Sequence, residues 1–337
     1  MSRGAITALA VIIAVLAVAA AYEASVIQQL QAENQQLKAK ISQLQEELKK
    51  PHYPLAIVDD HGRVVAIPRE PKRIVSLAPS NTEILFALGL GDRVVGVTEY
   101  CDYPPVVLEL KKNGSIAVVG GFTTVNVEKV VELRPDLVLA ATSLQVKFVD
   151  QLSKLGIPVI LLDPKNISMV FNDILLVGKA CGVPDKAEEL VNSLQQRVNA
   201  VLSKVENAPK VKVYYEVWYN PLMSVGPGTF IHDLIQLAGG ENIFKDAKTS
   251  YPIISAEEVI ARDPEVIIVP SGYMMYGNMT AEQVKEMIAS RPGWSDISAV
   301  KNNRIYIVDE DLLVRPGPRL VDGLELLAKL IHPELFK

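Results

Sequence analysis

One fifteen-residue phrase occurs twice in this 337-residue chain, and that repetition constrains the fold more than any other feature. Asn126 to Ala140 reads NVEKVVELRPDLVLA, and Ser255 to Val269 reads SAEEVIARDPEVIIV, aligned without a gap. Asn126 falls on Ser255, Glu128 on Glu257, Pro135 on Pro264 and Asp136 on Glu265. In each copy an Asn or Ser side chain caps a short helix and a proline ends it. An apolar run follows, Leu137 to Ala140 or Val266 to Val269, the pattern of a strand covered on both faces. A helix feeding a buried strand, once in each half, predicts two similar α/β lobes. It also sets one glutamate in the first helical turn of each lobe. Glu128 and Glu257 either complement the helix dipole, worth about 0.3–1 kcal/mol, or form a matched pair of charges for a two-fold symmetric partner. Spacing alone leaves both open.

The chain is 49% hydrophobic, enough for more than one core, and its net charge of −5 leaves no basic footprint for nucleic acid. Cys101 and Cys181 have no metal or disulfide spacing. His52, His61, His232 and His332 form no HxxH or HExxH pair, which argues against a histidine-built metal site.

Ala5 to Ala21 is uncharged and almost wholly apolar, preceded by Arg3 and followed by Glu23. About 17–25 such residues cross a bilayer. Ala19-Ala20-Ala21 offers a cleavage site, so a signal peptide is the rival reading. The expectation is an uncleaved signal anchor over residues 1–22, with a cytoplasmic N-terminus and an exported body, single-pass in the cell membrane. Residues 23–50 then place Ile27, Leu30, Leu37, Ile41, Leu44 and Leu48 in a 3-4 repeat, with Asn34 in the gap. That predicts either a parallel two-stranded coiled-coil stalk, and with it a homodimer, or a single helical spacer.

Strand and helix signals alternate from residue 55 onward. A hairpin (Leu55 to Val58, Val64 to Ile67) opens an N-terminal α/β lobe over 55–165. Residues 168–207 carry no strand signal; Asp185 is read as the cap of a helix about 30 Å long that links the lobes. A second α/β lobe covers 210–333. The predicted class is α/β: two Rossmann-like lobes with mainly parallel sheets joined by one long helix, behind a transmembrane helix and a stalk.

Several motifs in order carry a resemblance: Arg73 to Gly89 (RIVSLAPSNTEILFALG), Tyr100-Cys101-Asp102-Tyr103-Pro104-Pro105, Gly239 to Phe244, Arg291-Pro292-Gly293-Trp294 and Asn303-Arg304-Ile305-Tyr306. They resemble the helical-backbone substrate-binding proteins of ABC importers, most closely the cobalamin-binding members, with iron-siderophore and haem binders as near relatives. The resemblance spans Ile74 to Phe336. It implies a ligand in the cleft between the lobes, limited movement on binding, and no cofactor. The implied partners are a permease dimer with its ATPase subunits, docked through one glutamate per lobe, here Glu128 and Glu257.

Ligands of α/β lobes sit beyond the carboxyl ends of the strands. The loops expected there are aromatic in a chain with only 6% Phe, Trp and Tyr: Tyr100, Tyr103, Phe122, Trp218, Tyr219, Tyr251, Tyr273 and Tyr276. Tyr100, Phe122 and Tyr251 match ligand-contacting aromatics of the cobalamin binders, and Asp311 and Arg315 match polar contacts. Without the resemblance those two read as an i,i+4 ion pair. Ala141 stands where those binders carry a tryptophan, and Phe122 replaces another. The expected ligand set is Tyr100, Phe122, Trp218, Tyr251, Asp311 and Arg315. Arginines are few, chiefly Arg315 with Arg319, which favours a corrinoid over an anionic chelate. An enzyme using Cys101 lacks a P-loop, a GxSxG motif or a nearby histidine. A signalling ectodomain is a third reading, and the two or three residues ahead of the apolar segment are expected to give it little to signal with.

Overall fold

The computed structural model describes residues 3–49, 51–271, 277 and 279–336. The chain divides into two compact units, Met1–Pro51 and His52–Lys337.

The first unit is one helix, α1 (Arg3–Lys49). No glycine or proline interrupts residues 5–50, and Ala, Leu, Gln, Glu and Lys dominate, so nothing in the sequence breaks it. The expected boundary between anchor and stalk is therefore not a structural one. Among the described residues α1 is the one helix long and apolar enough to cross a membrane. Ile27, Leu30, Leu37, Ile41 and Leu44 are all exposed on it, so the heptad seam is open in the single chain and no coiled coil is formed within it.

The second unit holds two α/β lobes. In lobe 1 the strands β3 (Ile74–Ser76), β4 (Val94–Val97), β5 (Ala117–Val118), β6 (Leu137–Ala141) and β7 (Val159–Leu162) form an all-parallel sheet ordered β5-β4-β3-β6-β7. In lobe 2, β8 (Val211–Tyr219), β10 (Gly240–Asn242), β11 (Val266–Pro270) and β12 (Ile305–Val308) are parallel in the order β10-β8-β11-β12, and β9 (Leu222–Ser224) runs antiparallel on β8. Both strands of the twin phrase, β6 and β11, are buried along their whole length. Such continuous burial is what apolar runs without alternation predict for parallel sheets.

The twin phrases also fasten their sheets alike. Asp136 accepts from the backbone N–H groups of Lys72 and Arg73 at 3.0 Å, and Glu265, its counterpart, accepts from that of Lys212 at 2.9 Å. Each carboxylate thus pins the start of the neighbouring central strand.

A hairpin, β1 (Leu55–Val58) with β2 (Val64–Ile67), precedes lobe 1. Its turn lies along the outer edge of β7. Asp60 donates its N–H to Leu161 O, Asp59 accepts from Leu161 N–H, Arg63 donates to Val159 O, and Asp60 Oδ2 accepts from Asp163 N–H at 2.6 Å. The otherwise unpaired edge is satisfied.

Two helices link the lobes, α6 (Ile167–Ala180) and α7 (Pro184–Val205), packed side by side. Asp185 is not the cap: α7 starts one residue earlier, with Pro184 in the first helical position and no side-chain cap. Proline suits that position because the missing N–H would be unpaired anyway. The terminal helix Leu320–Ile331 packs on α7, and Arg197 of α7 bonds Asp322 and Glu325 at 2.5 and 2.8 Å. The connector is thereby clamped to lobe 2 at Arg197.

Candidate functional site

A cavity of about 660 Å³ lies between the lobes. It is built from loops that follow strands, as the α/β rule requires. From lobe 1 come the start of α2 (Pro79–Ala87) after β3, Tyr100 after β4, Phe122 after β5, Ala141 to Leu144 after β6, and Asp163 to Lys165 after β7. From lobe 2 come Gly228 to Phe230, Tyr251 and the segment from Asp311 to Pro316.

Gln145 organises the lobe 1 side. It is fully buried, accepts from Ala141 N–H at 2.8 Å, and donates to the carbonyls of Leu77 and Phe122, each at 2.8 Å. Three cavity-forming loops therefore hang on one amide. Thr142, beside it, holds φ at 57°, a conformation that a β-branched residue tolerates only where its surroundings enforce it. In lobe 2, Gly226 admits no side chain: a Cβ would stand 2.3 Å from Thr249 O. That close approach carries the chain past Tyr251 to Phe230, whose helix is capped by Thr229.

Tyr100, Phe122, Tyr251, Asp311 and Arg315 all line this cavity. Trp218 does not. Its strand runs on beyond the sheet into the β8–β9 ribbon, where it faces Met223; the indole packs on the lobe 2 core and donates to Asn220 O at 2.9 Å. Tyr219 sits beside it, ring centroids 6.0 Å apart. Tyr103 lies behind the cavity under the Arg319 guanidinium, 3.9 Å from its ring centroid, and Arg319 itself is not in the cavity wall. Tyr273 and Tyr276 fall outside the described residues. Ala141 does line the cavity and leaves room where a larger residue would reduce it.

The charges at the wall are paired. Arg315 reaches across the cleft to Asp102 at 2.5 Å and bonds Asp311 at 2.7 Å, with Glu83 at 3.6 Å. Burial works against ionisation of Asp102, but Arg315 outweighs it and holds that carboxyl below the usual range. Behind it Arg319 grips Glu83 through two hydrogen bonds, 2.7 and 3.0 Å. Glu83 is only 2% exposed, and burial pushes its carboxyl up against the pull of both arginines. Lys165 is bonded to Asp163 at 2.7 Å, and His61 approaches the same carboxylate at 3.1 Å.

Away from the cavity, Glu128 and Glu257 stand at matching places. α4 (Val127–Glu132) is capped by Asn126, and α9 (Ala256–Arg262) by Ser255 with a full capping box to Glu258. Glu128 and Glu257 each occupy the second helical position, exposed, while the capping work falls to their neighbours. Neither makes a hydrogen bond or ion pair among the described residues.

The family model described as periplasmic binding protein matches residues 74–312. The chain belongs to the periplasmic binding protein family. Among its relatives, the substrate-binding lipoprotein YvrC of an ABC transporter in Bacillus subtilis (strain 168) is 38% identical over 293 residues, 85% of this chain and 88% of that one. The vitamin B12-binding protein of Vibrio cholerae is 30% identical over 263 residues, 78% of this chain and 90% of its own. Its crystal structure superposes with a TM-score of 0.66 at 28% identity, covering 80% of this chain and all of that one. The haem-binding protein RhuT of Roseiflexus sp. RS-1 gives a TM-score of 0.67 at 26% identity, over 78% and 99% of the two chains.

Sequence reasoning missed three polar residues of this periplasmic binding protein's cleft: Asp163, Lys165 and Asp173. The first two directly follow β7, so the strand-end rule was enough to find them. Asp173 carries a different signal. Val170, Ile174 and Val177 form the buried stripe of α6, and Asp173 stands within it, 2% exposed. A carboxyl in an apolar stripe marks a site or a partner. Both cysteines are buried, and burial pushes the Cys101 thiol up; its neighbour is the Thr98 hydroxyl, 3.2 Å away. A protonated, enclosed thiol without a base beside it is a packing residue. No cluster of three or more His, Cys, Asp or Glu able to hold a metal ion exists among the described residues.

Proposed function

We propose that this chain is the membrane-tethered, extracytoplasmic receptor of an ABC importer, and that it binds cobalamin or a related corrinoid in the inter-lobe cleft. It hands the ligand to a permease dimer with its ATPase subunits, docking through Glu128 and Glu257. Binding is reversible and involves no chemistry on the ligand.

The observation that carries the ligand reading is the charge pairing at the cavity wall. The cations that line the cavity, Lys165 and Arg315, are each neutralised by carboxylates of this chain. An anionic chelate entering such a cleft loses hydration without gaining a free cation, which is costly. A corrinoid presents a broad apolar ring edged by neutral amides. Tyr100, Phe122, Phe230 and Tyr251 supply faces for the ring from both lobes. The name of the Vibrio cholerae relative supports the same ligand class. Haem or a ferric siderophore is the second reading, favoured by the likeness to RhuT and by the exposure of Lys165, whose side chain is 62% accessible and able to turn toward a carboxylate.

Calorimetry on the full chain in detergent, with cobalamin, haem and a ferric catecholate siderophore, separates the two. Cobalamin is expected to bind at least about a hundredfold tighter than either anionic chelate, a difference of about 2.7 kcal/mol. Equal or tighter binding of haem overturns the corrinoid reading.

A further inference from the structure

One side of the cavity combines two unsatisfied features. α2 begins with Pro79 after Ala78 and has no side-chain cap. The first N–H groups of a helix have no partner within it, and Pro79 has none to offer, so Ser80 and Asn81 present free backbone donors where they line the cavity. α6 packs against α2 and supplies Asp173 to the same cavity. Asp173 is 2% exposed, and its Oδ2 has no hydrogen-bond partner. A helix start alone welcomes any anion, and a carboxyl alone welcomes any donor. Together they ask for a group that accepts on one side and donates on the other.

We propose that the start of α2 and Asp173 form a subsite for a primary carboxamide, its carbonyl oxygen held by the Ser80 and Asn81 N–H groups and its NH2 by Asp173. A carboxylate satisfies the helix but brings no donor for the acceptor oxygen of Asp173, and it meets Asp163 in the same wall with Asp60 bonded to it. An ammonium group makes the reverse error. Only the amide matches both. Asp163 holds Lys165 and contacts His61, so the Lys165 cation is already engaged. Burial, with Asp60 and Asp163 near, pushes the Asp173 carboxyl up to about 9, and a neutral carboxyl is the natural cyclic partner of an amide. As an account of what the site selects in its natural ligand, this rests on the corrinoid reading, since the corrin rim is edged with such amides; the subsite itself does not.

The test uses two kinds of probe on the full chain in detergent. Propionamide, propionate and propylammonium are titrated separately while the Ser80 and Asn81 amide resonances are followed. Propionamide is expected to shift both resonances saturably and the two ions not to; equal response to propionate overturns the proposal. Asp173→Leu is expected to weaken propionamide, and cobalamin if it binds, by about five- to a hundredfold, as for an unmade buried hydrogen bond. Asp173→Asn recovers most of that loss. Unchanged affinity in a folded Asp173→Leu protein also overturns it. Saturable propionamide binding together with no binding of any amide-bearing corrinoid leaves the subsite standing and removes the corrinoid reading instead.

Discussion

Asp173 is the residue where sequence and environment disagree most, and its titration is a stability effect. Its carboxyl is raised to about 9 by burial, by Asp60 from the hairpin turn and by Asp163 from the end of β7. In the unfolded chain it ionises near the ordinary aspartate value of about 3.9. Between those values the folded state holds a proton that the unfolded state has lost, so stability falls as pH rises through that window and levels off above about 9. Asp173→Asn removes this slope while keeping a hydrogen-bonding group beside Asp60. Its melting temperature should exceed that of the parent by a margin that grows between about pH 5 and pH 8, with each kcal/mol worth about 2–4 °C. A constant margin contradicts the assignment. The position was visible in sequence as a charge in an apolar stripe. Its meaning was not, because Asp60 lies in another element and its approach depends on the hairpin turn.

At the scale of elements, the twin phrase was the most legible part of the chain. Caps at Asn126 and Ser255, the prolines, and the buried β6 and β11 follow from local pattern alone. The same two helices carry the docking prediction. Glu128 and Glu257 are spared capping duty and stay free, as a pair waiting for guanidinium partners requires. Replacing both with alanine should abolish uptake in cells while moving ligand affinity by less than about twofold, since neither lines the cavity. Uptake by the double variant would remove the docking role. Trp218 shows where element reasoning fails. Trp218 was expected in a loop, but β8 runs on to Tyr219, and the antiparallel strand β9 that captures its end is only three residues long and left no signal.

At the scale of the whole molecule, what the sequence concealed is the ionic clasp between lobes. Glu83 and Asp102 belong to lobe 1, Arg315 and Arg319 to lobe 2, and no spacing rule links residues so far apart in the chain. Arg319→Ala removes both hydrogen bonds to the buried Glu83, leaving only Arg315 at 3.6 Å, and should cost about 3–5 kcal/mol, read as a lower melting temperature of the body. Replacing Glu83 and Arg319 together by Gln and Met should recover much of that loss. A single variant as stable as the parent means that the lobes hold together without the clasp.

The hairpin that leads into lobe 1 has a bearing on how the protein can be handled. It lies ahead of the region shared across the family, residues 74–312, yet its turn occupies the backbone groups along the outside of β7. A fragment trimmed to the shared region would bare that strand to its neighbours in solution, and such fragments tend to stack edge to edge. The shortest well-behaved soluble form therefore begins before Leu55.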